Sequence, residues 1–348
     1  MIVLDLENVQ FSLEKDKVHT TLKKTIPEFL YKYYSLSSPN GQKSLHDGTL
    51  FFSHPHHLND VMDGSFLLWD LDQFSQNYHN ETQNQVSPEI LRMTFIKSFT
   101  ENLGVLSLSS NSCNNLMWPH YTEEKGFCLE FNTNKIRHYI DSLSSNEIEI
   151  FFFPINYQIN LTQISFEKVC SSKKHNNSVT RNANLPILYA NSVKDFSWKY
   201  EDEWRFLMRN NDFEYIKHKI EFSPKKKTLE EKKDTAKKRC IPIEKNLIEK
   251  IILDQLFFST DRFTINQESV ENGERFYFIE IEESNKYRME ILKNFLTTLY
   301  ENYNDRIYQI DYFIDQNKQI KREVKYKVQI RERTEKYINV KRTRGGFI

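Results

Sequence analysis

The amino-acid sequence predicts an α+β fold: a mixed or antiparallel central sheet flanked by helices, followed by a C-terminal helix and a basic strand. Three observations predict it. Short aromatic and β-branched segments recur with period-two alternation, as half-buried strands require. Between them, Ser87-Pro88-Glu89 places a capping serine before a proline, the mark of a helix start. Near the C-terminal end, Ile291, Leu292, Phe295, Leu296 and Leu299 repeat at three- and four-residue spacing, which is a helical stripe.

Leu30 to Ser35 is aromatic-rich and predicts a strand, with a turn around Ser38 to Gly41 and a short helix over Gln42 to His46. Thr49 to Ser53 is a second strand that Pro55 ends. The capped helix carries Ile90, Leu91, Phe95 and Phe99 at helical spacing and runs to about Asn102. Val105 to Ser109 and Gly126 to Phe131 are strands; in the latter Phe127, Leu129 and Phe131 share one face. Phe151 to Ile159 and Pro186 to Tyr189 are further strands, separated by a polar helix end and loop over Ser171 to Asn184. From Trp198 to Met208, Trp198, Tyr200, Trp204, Phe206 and Met208 alternate with Glu201, Glu203 and Arg205, predicting one continuous strand with Asp202 on its aromatic face. Leu247 to Leu253 and Phe276 to Ile281 complete the body. The late stripe extends through Tyr303, Ile307 and Ile310, predicting a helix of about two dozen residues. Beyond it Val324, Tyr326, Val328 and Ile330 alternate with Lys325, Lys327, Gln329 and Arg331, a strand with a basic face. These readings divide the chain into a body over 1–284, with a charged insertion at 224–240, and an extension over 285–348.

Composition narrows the function classes. The 348 residues carry 48 Lys+Arg and 48 Asp+Glu, so a globally basic nucleic-acid binder is excluded while local basic patches are not. Such a patch exists: from Lys318 onward there are eleven basic and three acidic residues. With 8 glycines, none in a G-x-G pair, the dinucleotide fingerprint is absent, and so is the P-loop. The 4 cysteines form no C-x-x-C pair and fit a reducing compartment. The segment Met1 to Glu7 has neither a basic region nor a long apolar run, and no stretch of about 18 apolar residues exists, so a cytoplasmic protein without membrane contact is expected. Abundant Asn, Lys, Ile and Phe fit an AT-rich bacterial or phage-borne coding sequence.

Four stretches together resemble a bacterial family known as domain of unknown function (DUF) 2971. They are Leu30 to Leu36, Leu50 to Gly64, Ser107 through Met117-Trp118-Pro119-His120-Tyr121 to Phe131, and Trp198 to Arg205; the match covers residues 30–255. The chain has Tyr34 where the family commonly has arginine, and Asn59-Asp60-Val61-Met62 where it has Asn-Asp-Pro-Phe. The resemblance implies a defence-associated effector of anti-phage or abortive-infection type. In outline the layout also resembles the ADP-ribosyltransferase fold, which implies NAD or a nucleotide as substrate.

Under that second resemblance, Glu203 would stabilise an oxocarbenium-like ribose as nicotinamide leaves, and Glu201 would orient the acceptor nucleophile. The plainer alternative is a ladder in which Glu203 and Arg205 pair with neighbouring strands. His120 is a candidate general base, against a structural histidine. Tyr31, Lys32, Tyr33 and Ser53 on the early strands, Asn59 and Asp60 in a loop, Trp118, Tyr121 and Arg205 are the candidate substrate-binding residues; core packing and helix capping are their bland readings. His54, His56 and His57 lack cysteine partners, and no metal site is expected. A second function class is a non-catalytic module whose Lys325, Lys327 and Arg331 engage nucleic acid or a partner protein. The late apolar stripe must bury against the body or a second copy of the chain, the basis for a homo-oligomer.

Overall fold

The computed structural model describes residues 1–82, 86–123, 125–169, 171–175, 178–210, 213, 239–258, 265–271, 274–280, 286–333 and 337–344. Strands β1 (Ile2–Asp5), β2 (Val9–Glu14), β3 (Lys17–Leu22) and β4 (Phe29–Tyr34) come first, then helix α1 (Pro39–His46) and β5 (Thr49–Phe51). Helices α2 (Leu71–Thr82) and α3 (Pro88–Thr100) lead to β6 (Leu103–Ser109), α4 (Met117–Thr122), β7 (Phe127–Asn132) and α5 (Thr133–Asp141). Next are β8 (Ile148–Pro154), β9 (Asn156–Gln158), α6 (Phe166–Val169), β10 (Ser171–His175) and β11 (Ser178–Asn182). Helix α7 (Asn184–Ser192), β12 (Val193–Asp195) and β13 (Glu203–Asn210) follow. The remaining elements are β14 (Cys240–Pro242), β15 (Ile248–Leu253), β16 (Ile265–Glu271), β17 (Glu274–Glu280), α8 (Lys286–Asn302), β18 (Ile307–Ile314), β19 (Ile320–Arg333) and β20 (Tyr337–Arg344). The fold is α+β with a large mixed sheet, as the alternation predicts.

Two compact units form, each from three separate lengths of chain. Unit 1 comprises Met1–Ile26, Phe51–Ser107 and Arg137–Ile241; unit 2 comprises Pro27–Leu50, Leu108–Ile136 and Pro242–Ile348. In unit 1, β1, β2 and β3 make an antiparallel meander, and β13 runs antiparallel to β8. Val9, Phe11 and Leu13 on alternate β2 positions are buried, and Phe11 meets Phe153 of β8 edge to face at 5.5 Å. Every residue of α7 is buried. At its C-terminal end the chain passes straight into β12, which pairs in parallel with β9 through Val193 and Asn156.

In unit 2 the strand order is β16-β17-β20-β19-β18-β15-β7-β4, with a parallel contact between β15 and β18 and antiparallel ones elsewhere. One face is apolar: Phe127, Ile251, Leu253, Ile307, Val328, Ile330, Ile338 and Val340 are buried. Helix α8 lies on this face, with Phe295 at 4.8 Å from Phe127 and Tyr303 donating to the Leu45 carbonyl at 3.1 Å. The late apolar stripe therefore buries within its own unit. The boundary read near residue 285 falls inside unit 2, whose last strands pair with β15.

Several elements differ from the sequence reading. Helix α1 starts at Pro39, because Ser38 accepts from the Gly41 amide and proline suits the first helical position. Pro186 to Tyr189 is helical, inside α7. The polar stretch after Ser171 is a two-stranded hairpin. Trp198 to Glu201 is a 3-10 turn, not strand: Asp195 caps it by accepting from Ser197, and Asp202 leaves it in the left-handed conformation (φ 43°). Helix α8 ends at Asn302, so Ile307 and Ile310 belong to β18. The charged insertion over 224–240 lies outside the described residues apart from Arg239 and Cys240.

A buried five-charge network and a basic sheet face

The predicted site residues fall in both units. In unit 1, Glu201, Glu203 and Arg205 join Asp63 and Lys194, which the sequence pattern does not single out. The 3-10 turn and the left-handed Asp202 place Glu201 beside Glu203 although the two do not share a strand. Asp63 arrives from a loop whose next residue, Gly64 (φ 63°), donates to the Ala190 carbonyl at the end of α7. Lys194 follows from β12.

Arg205 is fully buried and uses all its donors. Its Nη1 and Nη2 reach Asp63 at 2.6 and 2.5 Å, its Nε and Nη2 reach Glu203 at 2.6 and 2.9 Å, and Nη1 also reaches the Asn191 carbonyl at 3.0 Å. Lys194 Nζ donates to Glu201 at 2.5 Å and to Glu203 at 3.2 Å, with Asp63 at 3.6 Å and the Trp198 ring centroid at 4.8 Å. Three carboxylates against two cations leave the group with a formal charge of −1. Burial alone would raise the Glu203 carboxyl, but the Arg205 and Lys194 charges outweigh it and hold it well below the usual range. Burial works against the Lys194 ammonium, yet Glu203 and Asp63 raise its pKa. Both Glu203 oxygens are thus taken up by cations, and the Glu203 amide donates to the Tyr157 hydroxyl at 2.8 Å.

The pH dependence follows in sign. Glu203 is depressed in the folded state, so its contribution is complete above the unfolded carboxylate range of about 4.3 and is lost as pH falls below it. Lys194 is raised, so its contribution is complete below about 10.4 and is lost as pH rises through its folded value. Urea midpoints of the wild type should therefore drop on the acid side more steeply than those of Glu203→Gln. Parallel acid limbs would show that Glu203 is not ionised in this network.

The other unit 1 candidates lie near the surface. Ser53 forms a backbone bridge to Val105, Asn59 is exposed, and Asp60 accepts from the Met62 amide at 2.9 Å, which is a turn-capping role. His54 is buried, with Nδ1 accepting from the His56 amide and Nε2 facing the Thr100 carbonyl, both at 3.2 Å. Its burial, with His56 nearby, pushes its pKa down to about 2, so the ring stays neutral. Among the described residues no group of three or more His, Cys, Asp or Glu is arranged to hold a metal ion, and no helix is long and apolar enough to cross a membrane.

In unit 2, Tyr31 and Tyr33 stand opposite Glu130 and Cys128 of β7, with Lys32 between them half-buried. Trp118 is fully buried, donates to the Ser112 carbonyl at 2.9 Å and meets Tyr33 edge to face at 5.1 Å, so it packs. Tyr121 is half-buried and His120 exposed on the same short helix. The strand face opposite α8 is mixed: Cys128, Ile252 and Ile310 are buried on it, and polar side chains gather toward β19 and β20. Register aligns Ile252 with Tyr308, Tyr308 with Lys327, Lys327 with Thr343, and Gln329 with Lys341. Opposed residues share a face, so Lys250, Tyr308, Lys327, Gln329 and Lys341 lie on this one. Arg331 falls at a register shift between Ile330 and Glu332, and its guanidinium lies against Phe276, the residue opposite Lys341. Lys250 pairs with Glu130 at 3.0 Å, Lys341 with Glu274 at 2.8 Å, and Lys325 approaches Asp311 at 3.6 Å. Lys327 and Arg331 have no carboxylate partner among the described residues.

These residues can be set beside known proteins. A family model described as a protein of unknown function, DUF2971, matches residues 117–206. That segment is similar to the DUF2971 family. No curated protein and no solved structure matches the chain. Trp118, Glu130, Lys194, Glu201, Glu203 and Arg205 all lie within the DUF2971 segment, whereas Asp63 and the basic strands lie outside it. Lys194 escapes sequence reasoning because its one signal is a charge closing the nearly apolar run Leu185 to Val193. Asp63 lies inside one of the four resembling stretches, but nothing local ties it to an arginine 142 positions away.

Proposed function

We propose that the protein is a non-catalytic binding module whose basic sheet face, opposite α8, holds the phosphate backbone of a nucleic acid. One observation carries the reading: Lys327 and Arg331 stand on β19 without carboxylate partners among the described residues, whereas both oxygens of Glu203 are already taken up by cations. A transferase acting through Glu203 would need that carboxylate released from both Arg205 and Lys194. Phosphate contacts by lysine and arginine are sequence-independent and release counterions, so affinity must fall with salt. A defence-associated role, implied by the family resemblance, suits a protein that meets foreign nucleic acid.

Fluorescence anisotropy with a labelled oligonucleotide, repeated at rising salt, tests this. The logarithm of the affinity should fall linearly with the logarithm of salt concentration. The pair Lys327→Ala and Arg331→Ala should weaken binding and flatten that slope by about 1.4–1.8, because each phosphate left without its cation removes about 0.7–0.9. Absence of binding at low salt defeats the reading. NAD consumption by the wild type that Glu203→Gln abolishes, with the fold intact, would put the transferase in its place.

A further inference from the structure

We infer that the ligand of this face is single-stranded, with one base stacked on the Tyr308 ring; the inference rests on the nucleic-acid reading above. Tyr308 is half-buried where the buried Ile252 gives way to the basic strands, directly opposite Lys327, and the Lys250 ammonium lies over one side of its ring at 5.6 Å from the centroid. An aromatic ring placed among cations offers a base a π-surface while the cations take the flanking phosphates. Every base has such a surface, so the interaction is tolerant of sequence.

Duplex and single strand meet this face differently. Reading base edges in a duplex's major groove takes a helix or a two-stranded ribbon that enters it. Here the cations stand on strands inside a sheet, between neighbours about 4.8 Å apart, and can touch only a duplex's phosphates. A single strand can splay its bases onto the face. Lys327 and Arg331 lie on the same strand, with Tyr308 beside Lys327 on the neighbouring one, so a backbone running along that strand passes the ring at its Lys327 end. The Arg331 guanidinium sits 5.5 Å from the Phe276 ring centroid and presents a second planar surface at the far end of the row. Lys250 is held by Glu130 and gives the Tyr308 end a fixed rather than a free cation.

Anisotropy titrations of the full chain with a single-stranded oligonucleotide and with the duplex of the same sequence decide this. The single strand should bind at least about tenfold more tightly. Tyr308→Leu should lower single-strand affinity by about five- to a hundredfold, the range expected when one base stack is removed. It should leave the salt slope and duplex affinity unchanged, and Tyr308→Phe should restore the single-strand affinity. Equal binding of both forms, with Tyr308→Leu silent, overturns the inference and leaves the phosphate-binding face standing. Binding of neither form overturns the proposed function itself. A drop in melting temperature for Tyr308→Leu without one for Tyr308→Phe would identify a packing loss, and equal single-strand binding by a folded Tyr308→Ala would then overturn the stack.

Discussion

Replacing Arg205 with methionine should destabilise unit 1 by about 3–5 kcal/mol, a large fraction of the roughly 5–15 kcal/mol that holds an ordinary domain folded. The guanidinium is fully buried and holds Asp63 and Glu203 at hydrogen-bond distance. Removing it leaves three buried carboxylates, Asp63, Glu201 and Glu203, with Lys194 as the cation they share. Uncompensated buried charge is what makes breaking such a pair so costly, since the intact pair itself contributes little against an apolar replacement. The triple variant Arg205→Met, Asp63→Asn, Glu203→Gln should therefore recover part of the loss, a coupling that denaturant titration of the single and triple variants measures. A loss below about 1 kcal/mol in the single variant would mean that water reaches these carboxylates, and would reopen the site to a ligand.

Gly126→Ala should be nearly as severe in unit 2, at about 3 kcal/mol or more. A Cβ at this position would lie 2.1 Å from the Tyr34 carbonyl oxygen and 2.8 Å from Thr122 Cβ. Neither can retreat easily. Tyr34 is the last residue of β4 and is paired with Phe127, while the Thr122 hydroxyl donates to the Trp118 carbonyl at 2.6 Å and lies 3.1 Å from the Asp254 carboxyl. The Gly126 carbonyl also accepts from the Asp254 amide at 3.1 Å, so the backbone is pinned on its own side. Thermal melting of this variant measures the effect, and a midpoint equal to the wild type would mean that the close approach to Tyr34 is not maintained.

The alternation of single strands and the capped helix are legible in the sequence; elements whose signal depends on neighbours are not. Strands β4, β6, β7 and β15 and helix α3 stand close to where pattern and capping put them. Helix α7 is buried all round, so no polar face marks a 3.6-residue period, and its short apolar run reads as a strand. The first meander escapes notice although Val9, Phe11 and Leu13 alternate with Gln10, Ser12 and Glu14. Its turn uses Lys15 and Asp16 at φ 47° and 69° rather than the asparagine-glycine pair that announces such turns. The late helical stripe reads too long because Ile307 and Ile310 keep helical phase by coincidence after the polar break at Asn304 and Asp305. At the site, Glu201, Glu203 and Arg205 are visible as a charged triplet among aromatics. Their burial is not, because it depends on Asp63 and Lys194 arriving from distant parts of the chain.

Because each unit is stitched from three lengths of chain, synthesis delivers the pieces of unit 2 out of step. Strands β4 and β7 leave the ribosome early and can pair at once, but the other edge of β7 waits for β15, and β15 in turn waits for β18. During that interval β7 presents an apolar, unpaired edge, the feature most prone to join another chain. Pairings between such distant segments also close slowly. The yield of native protein should accordingly depend on translation speed and chaperone supply more than on the stability of the finished fold.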